Sequence, residues 1–259
     1  YFYSFVDFFI KYPYSWCVTE TFPKEDLMKK IGIIGAMEPE VAELKAHMTI
    51  SRTVKKASME FAEGTLRGVP VVVCQCGIGK VNAALCVQIL ADLFEVTTVI
   101  NTGAAGSLNA DLDIGDILIS TDAIQHDMDS VALGFAPGQI PGQKSAAFEA
   151  DTALSDLAVR VCKEVNPELH VQKGRVLSGD QFVSSREVKE RLVATFHGDC
   201  AEMEGASIAQ GASLNGIPFL IIRSISDKAD DSAEMDFPSF VKKAAVHSAA
   251  LVEALIEQI

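Results

Sequence analysis

Short apolar runs that end in glycine or a small residue alternate with longer segments of helical period, and this alternation constrains the fold more than any other feature. "KIGIIGAM" is a buried-strand pattern, and "EPEVAELKAHM" follows it as a helix with Pro39 in the first turn, where a proline is accepted. "VPVVVCQCGIG" repeats the strand, and "KVNAALCVQILADLF" repeats the helix with an apolar stripe. "VTTVINTGAAGS", "DILISTDAI", "VQKGRVLSGDQFV" and "IPFLIIRSISD" read as further strands. "SREVKERLVATF", "GASIAQGASLN" and "FPSFVKKAAVHSAALVEALIEQI" read as helices. Strands separated by helices predict a largely parallel sheet covered on both faces. The expected fold is therefore a single-domain, three-layer α/β/α structure around a central twisted, mostly parallel (mixed) sheet. Residues 124–148, rich in Gly, Pro and Gln, are expected to be one long irregular stretch of the kind that often carries function.

The first 27 residues do not share this alternation. They hold all four tyrosines, the only tryptophan and five of the fourteen phenylalanines. Asp7 and Lys11 interrupt "YFYSFVDFFIKY", and its start carries no basic residue, unlike a secretory leader. We expect residues 1–27 to be an extension outside the fold, with the domain spanning 28–259.

Charge and cysteine usage narrow the functional classes. A chain of 259 residues with net charge −13 repels phosphate backbones and anionic lipid, so nucleic acid and membrane are not expected partners. No run is long and apolar enough to span a bilayer. The six cysteines include no C-x-x-C pair, so no zinc site is expected, and scattered thiols in apolar contexts suit a reducing, cytoplasmic compartment.

Several familiar catalytic signatures are absent: there is no G-x-S-x-G, no H-E-x-x-H and no phosphate-binding G-x-x-x-x-G-K-[ST]. What remains is a set of acids at strand ends. Glu38 and Glu40 follow the first strand, Glu202 and Glu204 flank Met203, and Asp227 ends "FLIIRSISD". Each acid also has an ordinary structural reading. Glu38 and Glu40 suit the positive end of a helix dipole, Asp227 suits a helix cap, and Arg223 suits an ion pair. Ligands of open parallel sheets bind beyond the carboxyl ends of the strands. Acids gathered there are costly to bury unless a polar or cationic ligand meets them.

"KIGIIGAMEPEV", "GIGKVNAA", "NTGAAGSL", "SGDQF", "AEMEGASIA" and "RSISDKAD" occur in this order. On them the chain from Met28 to Ile259 resembles the 5′-methylthioadenosine/S-adenosylhomocysteine nucleosidases of the nucleoside phosphorylase/hydrolase superfamily. The resemblance implies hydrolysis of an N-glycosidic bond, releasing adenine and a 5-thioribose, with 5′-deoxyadenosine left open as a further substrate. It implies that Asp227 protonates N7 of the purine and that Glu40 activates the attacking water. It implies that Glu204 accepts hydrogen bonds from ribose hydroxyls beside an oxocarbenium-like cation. Such a mechanism needs Asp227 protonated near neutral pH and Glu40 ionised, and Arg223 is expected to help Glu40 hold water.

By the same resemblance, Met203 and Met37 give the nucleoside apolar surface. Phe182 and Val183 belong to the segment that stacks on adenine and bonds it through the backbone. Ser226 orients the acid, and Ile78 and Phe237 line the alkylthio pocket. Ala104 stands where some relatives carry serine, and Leu133 where some carry phenylalanine. Leu133, Phe135 and Pro141 lie on a loop, about 130–141, expected to reach the neighbouring site of a homodimer. Glu202 is assigned to structure. Beyond a purine thionucleoside and water, no cofactor or metal is implied. A phosphorylase, a futalosine-type nucleosidase and a non-catalytic nucleoside-binding module remain as alternatives.

Overall fold

The structure is a computed structural model, and it describes residues 29–259, without the side chains of 234–236, 238, 239, 242 and 244. The expectation for residues 1–27 lies outside the described residues. Ten strands join in one mixed sheet: β1 (Ile31–Gly35), β2 (Thr49–Lys56), β3 (Met59–Leu66), β4 (Val69–Gln75), β5 (Thr98–Ser107), β6 (Ile117–Gln125), β7 (Ala147–Glu149), β8 (Val171–Ser178), β9 (Cys200–Glu202) and β10 (Phe219–Asp227). Six α-helices are described: α1 (Glu38–His47), α2 (Lys80–Phe94), α3 (Thr152–Val165), α4 (Arg186–Phe196), α5 (Gly205–Leu214) and α6 (Ala233–Ile256). The strand order is β10-β6-β8-β9-β5-β1-β4-β3-β2, with β7 on β6. Because β10 also pairs with β5, the strands β5, β10, β6, β8 and β9 close into a ring.

Five strand pairings are parallel and five antiparallel, so the sheet is more mixed than the alternating pattern predicts. The parallel centre follows from the crossovers. β1 lies between β4 and β5, with Ile33 opposite Val73 on one side and Ile100 on the other. Period-two alternation sends successive side chains to opposite layers. Ile31 and Ile33 pack with Val41 and Leu44 of α1 and Leu251 and Val252 of α6. Ile34 packs on the other face with Val87 and Leu90 of α2 and Ala209 of α5. Helix α4 seals a third cluster, in which Leu192 and Phe196 meet Ile124 and Leu177.

Several elements were not anticipated, the three-residue strand β9 among them. The hairpin β2–β3 fills residues 49–66, helix α3 fills 152–165, and β7 pairs with β6 at the end of the stretch expected to be irregular. Within that stretch, residues 131–133 form one turn of 3₁₀ helix. Among the described residues no helix is long and apolar enough to cross a membrane.

Candidate active site

A cavity of about 300 Å³ opens where β1, β5, β9 and β10 end. Glu40, Glu204 and Asp227 all line it, together with Met37, Ile78, Ala104, Phe182, Met203, Ser226 and Phe237. These residues come from separate segments of the chain, and the sheet brings them together.

Glu40 sits in the first turn of α1. Its Oε2 accepts hydrogen bonds from the amides of Ala36 (2.7 Å) and Met37 (2.9 Å), which is the helix-start role its position suggests. Its Oε1 turns to β5 and accepts from the amide of Ala104 at 3.0 Å. Burial pushes the Glu40 carboxyl above its ordinary range, against the pull of these amides and of the Arg223 charge. A carboxylate strengthened as a base in this way suits proton abstraction from water. Gly103 leaves the room it needs, because a Cβ there would lie 2.6 Å from Glu40 Oε1.

Asp227 is the last residue of β10 and only 2% exposed. The β10/β5 register shifts between Ile225 and Asp227, and this irregularity lets consecutive residues, Ser226 and Asp227, both face the cavity. Asp227 Oδ1 accepts from the amide of Ala229 at 2.8 Å, in a turn that holds Ala229 at φ 51°. The turn is not a helix cap, since α6 begins at Ala233 with Ser232 in the N-cap position. Ser226 Oγ lies 2.8 Å from Asp227 Oδ2 and 3.4 Å from the Ala105 carbonyl oxygen. One hydroxyl proton serves both states of the acid. Ser226 donates to the ionised carboxylate, or it accepts from the protonated carboxyl and donates to Ala105.

The Asp227 turn rests on Gly106, where a Cβ would lie 2.6 Å from Asp227 Oδ1 and 2.8 Å from Ala229 Cβ. Gly106→Ala should displace the acid and lower kcat about 10²-fold, as misplacement by about 1 Å commonly does, with the fold retained by circular dichroism.

Glu204 occupies the N-cap position of α5, and its Oε1 accepts from the amide of Gly79 at 2.8 Å. Burial, then the neighbouring Glu202 charge, pushes its carboxyl up to about 8. Glu202 borders the same cavity but is saturated. It pairs with Arg223, accepts from Ser178 Oγ, and takes the amides of Glu204 (3.2 Å) and Gly205 (2.8 Å).

Arg223 lies outside the cavity lining. It is 1% exposed, and its guanidinium bonds Glu202, Asn101 and the Ile222 carbonyl. Its committed donors leave it acting on Glu40 as a nearby charge. The side chain of Val183 joins the core cluster with Leu108 and Ile124, while the adjacent Phe182 faces the cavity edge-on to Phe237, ring centroids 5.8 Å apart. Leu133 is exposed, Phe135 and Pro141 are half-buried, and none of the three lines this cavity.

Two contributors escaped the sequence: Gly79, whose amide holds Glu204, and Gly106, whose missing side chain admits Asp227. Both stood in the motifs "GIGKVNAA" and "NTGAAGSL" as glycines to which no role was assigned. Among the described residues the lining contains no lysine, arginine or histidine, and no cluster of metal-ligating side chains is present.

Comparison with known proteins places this arrangement. The family model described as "Phosphorylase superfamily" matches residues 30–257. The 5′-methylthioadenosine/S-adenosylhomocysteine nucleosidase of Chromohalobacter salexigens is 42% identical over 236 residues, covering 90% of this chain and 98% of that protein. The crystal structure of the Neisseria meningitidis 5′-methylthioadenosine/S-adenosylhomocysteine nucleosidase with methylthio-immucillin-A has a TM-score of 0.86 at 38% identity, covering 89% of this chain and 100% of that one. The futalosine hydrolase of Helicobacter pylori has a TM-score of 0.85 at 35% identity, covering 90% of this chain and 99% of that one. With three acids around one cavity and this likeness along nearly its whole described length, the chain belongs to the 5′-methylthioadenosine/S-adenosylhomocysteine nucleosidases, N-glycosyl hydrolases of the phosphorylase superfamily.

Proposed function

We propose that the cavity hydrolyses the N-glycosidic bond of 5′-methylthioadenosine and S-adenosylhomocysteine with Asp227, Glu40 and Glu204 in divided roles. Asp227 delivers a proton to N7 of adenine, so the base departs neutral. Glu40 takes a proton from the attacking water as its oxygen bonds the anomeric carbon. Glu204 accepts from the ribose hydroxyls and, once ionised, faces the positive charge that develops on the sugar, where an anion in a dry site acts strongly. Phe182 and Phe237 supply apolar ring surface for the base and the alkylthio group, and Met203 and Met37 for the sugar. The single observation that carries this reading is the convergence of the three acids on one cavity of about 300 Å³.

The choice of water over phosphate rests on charge and on occupied donors. The backbone amides nearest Glu40 already donate to its carboxylate, and Arg223 is committed to Glu202 and Asn101. A phosphate would meet a carboxylate where it needs donors. In phosphate-free buffer the protein should release free adenine from methylthioadenosine, and added phosphate should leave both rate and product unchanged. Appearance of a ribose 1-phosphate would overturn the hydrolytic reading. A futalosine-type activity would use the same acids, and the Helicobacter pylori likeness keeps that substrate worth including in the assay.

Such a reaction would serve methionine salvage and the removal of a methyl-transfer by-product in a reducing cytoplasm, where the free thiols of Cys74, Cys76, Cys86, Cys162 and Cys200 would persist. Residues 28–259 would form the catalytic domain, with 1–27 outside it, and the family match over 30–257 supports this division. A homodimer, with the loop around 130–141 completing the neighbouring pocket, is supported by exposed apolar side chains at Val81, Leu85, Val131 and Leu133.

A further inference from the structure

Helix α2 begins without a capping side chain of its own, because Gly79 stands at the N-cap position with φ 95°. Its first amides are taken by carboxylates from distant segments. Gly79 N donates to Glu204 Oε1 and Lys80 N donates to Asp180 Oδ1, each at 2.8 Å. Lys80 closes the circuit. Its Nζ donates to Asp127 Oδ1 at 2.6 Å and to Gln125 Oε1 at 3.2 Å, and the other Asp127 oxygen accepts the Asp180 amide at 2.9 Å. The Lys80 carbonyl also accepts from Ser207 Oγ, at 2.7 Å, which ties in the first turn of α5. Lys80, Asp127 and Asp180 thus bond one another in a ring that joins α2, the loop after β6 and the loop after β8. Both outlets of the ring reach the cavity. Gly79 holds the Glu204 carboxylate, and Asp180 begins the short segment that carries Phe182. At Gly79 the positive φ of 95° strains any L side chain, and a Cβ would also lie 3.0 Å from Asp180 Oδ1, so the junction favours glycine.

We propose that Lys80 is a positioning residue: through Asp127 and Asp180 it holds Glu204 and Phe182 in register around the nucleoside without touching it. This rests on the ribose and adenine roles proposed above for Glu204 and Phe182. Burial pushes the Asp127 carboxyl up, but the Lys80 ammonium and the Asp180 amide outweigh it and keep Asp127 below its ordinary range, as a permanent acceptor. Asp180 is exposed and the other two side chains are half-buried, so the ring adds little to global stability. Its effect is on orientation.

Lys80→Met separates the two roles, because it removes the Nζ bonds and leaves the Lys80 amide free to donate to Asp180. The probe is 5′-methylthiotubercidin, a 7-deaza nucleoside with no N7 to protonate, so binding is read without turnover. Lys80→Met should weaken its affinity and lower kcat/KM for methylthioadenosine by about 10- to 100-fold. Tm should stay within about 2 °C of the parent. Lys80→Arg should recover much of both losses, and Asp127→Asn should reproduce the pattern of Lys80→Met. Analogue affinity within twofold of the parent would overturn the proposal. So would a loss of Tm in parallel with activity that Lys80→Arg does not relieve. A parent protein that binds the analogue but cleaves no nucleoside would overturn the catalytic reading, and the affinity comparison would still decide the role of Lys80.

Discussion

Asp227→Asn should lower adenine release by about 10²–10⁴-fold while nucleoside affinity stays within a few fold of the parent. Asparagine is isosteric and keeps an oxygen to accept the Ala229 amide, so the turn seated on Gly106 should survive. It also keeps a partner for Ser226 Oγ. What it cannot do is deliver a proton to N7, and without that proton adenine must leave as an anion. The loss should therefore fall on kcat, since binding uses the same surfaces in both proteins. Single-turnover adenine release, set beside calorimetric affinity for methylthioadenosine, separates the two terms. A variant that releases adenine at the parental rate would remove Asp227 from the chemistry.

A second large effect concerns Glu204, where function and stability pull apart. Its carboxyl is held up to about 8, against an ordinary value of 4.5, by burial first and then by Glu202. For a group whose pKa is raised in the folded state, the stability contribution is complete below 4.5 and is lost as pH climbs through about 8. At about 1.36 kcal/mol per unit, the full loss approaches about 5 kcal/mol. Glu204→Gln does not titrate, and its amide oxygen can still accept from Gly79. The ligand-free variant should therefore outlast the parent on heating, by a margin that widens from about pH 5 to 8 and then levels, reaching roughly 10–20 °C. Thermal melts of the two proteins across that range test this directly. Equal melting temperatures at pH 9 would mean that the ionised carboxylate is not under strain in the empty cavity. The same substitution should cost about 10²–10³ in kcat/KM, because it removes the anion that faces the cationic sugar. The energy that makes Glu204 costly in the empty pocket is what a developing positive charge would offset.

Much of the fold was legible. Ile31, Ile33 and Ile34, the glycines after them, and the helical spacing in α2 and α5 are local signals set by short-range sterics and burial. The hairpin β2–β3 was not legible, for two physical reasons. Its turn uses Ala57 and Ser58, both at positive φ, in place of the glycine or asparagine that usually marks such a turn. Its outer strand, "TISRTVKK", is exposed along nearly its whole length and so shows no buried face. Helix α3 did carry a signal, because Asp151 accepts the Leu154 amide at its start, but its cap residue resembles any loop aspartate until the helix is seen. Strand β9, three residues long, is too short for any period to register.

The amino-acid sequence by itself determined that the carboxylates Glu40, Glu204 and Asp227 are present and that they stand near the ends of strands. Only the tertiary structure decided what each would face. It gave Arg223 to Glu202 and Asn101, so that it reaches Glu40 only as a charge, and it left Val183 in the core beside a Phe182 that lines the cavity. It set the Glu40 carboxylate on the amide of Ala104, 64 residues away, and the Glu204 carboxylate on that of Gly79, 125 residues away. Periodicity is written by neighbours a few residues apart, and a sequence shows it directly. Contacts across such separations depend on strand register and crossover order, which the packing of the whole sheet against its helices selects.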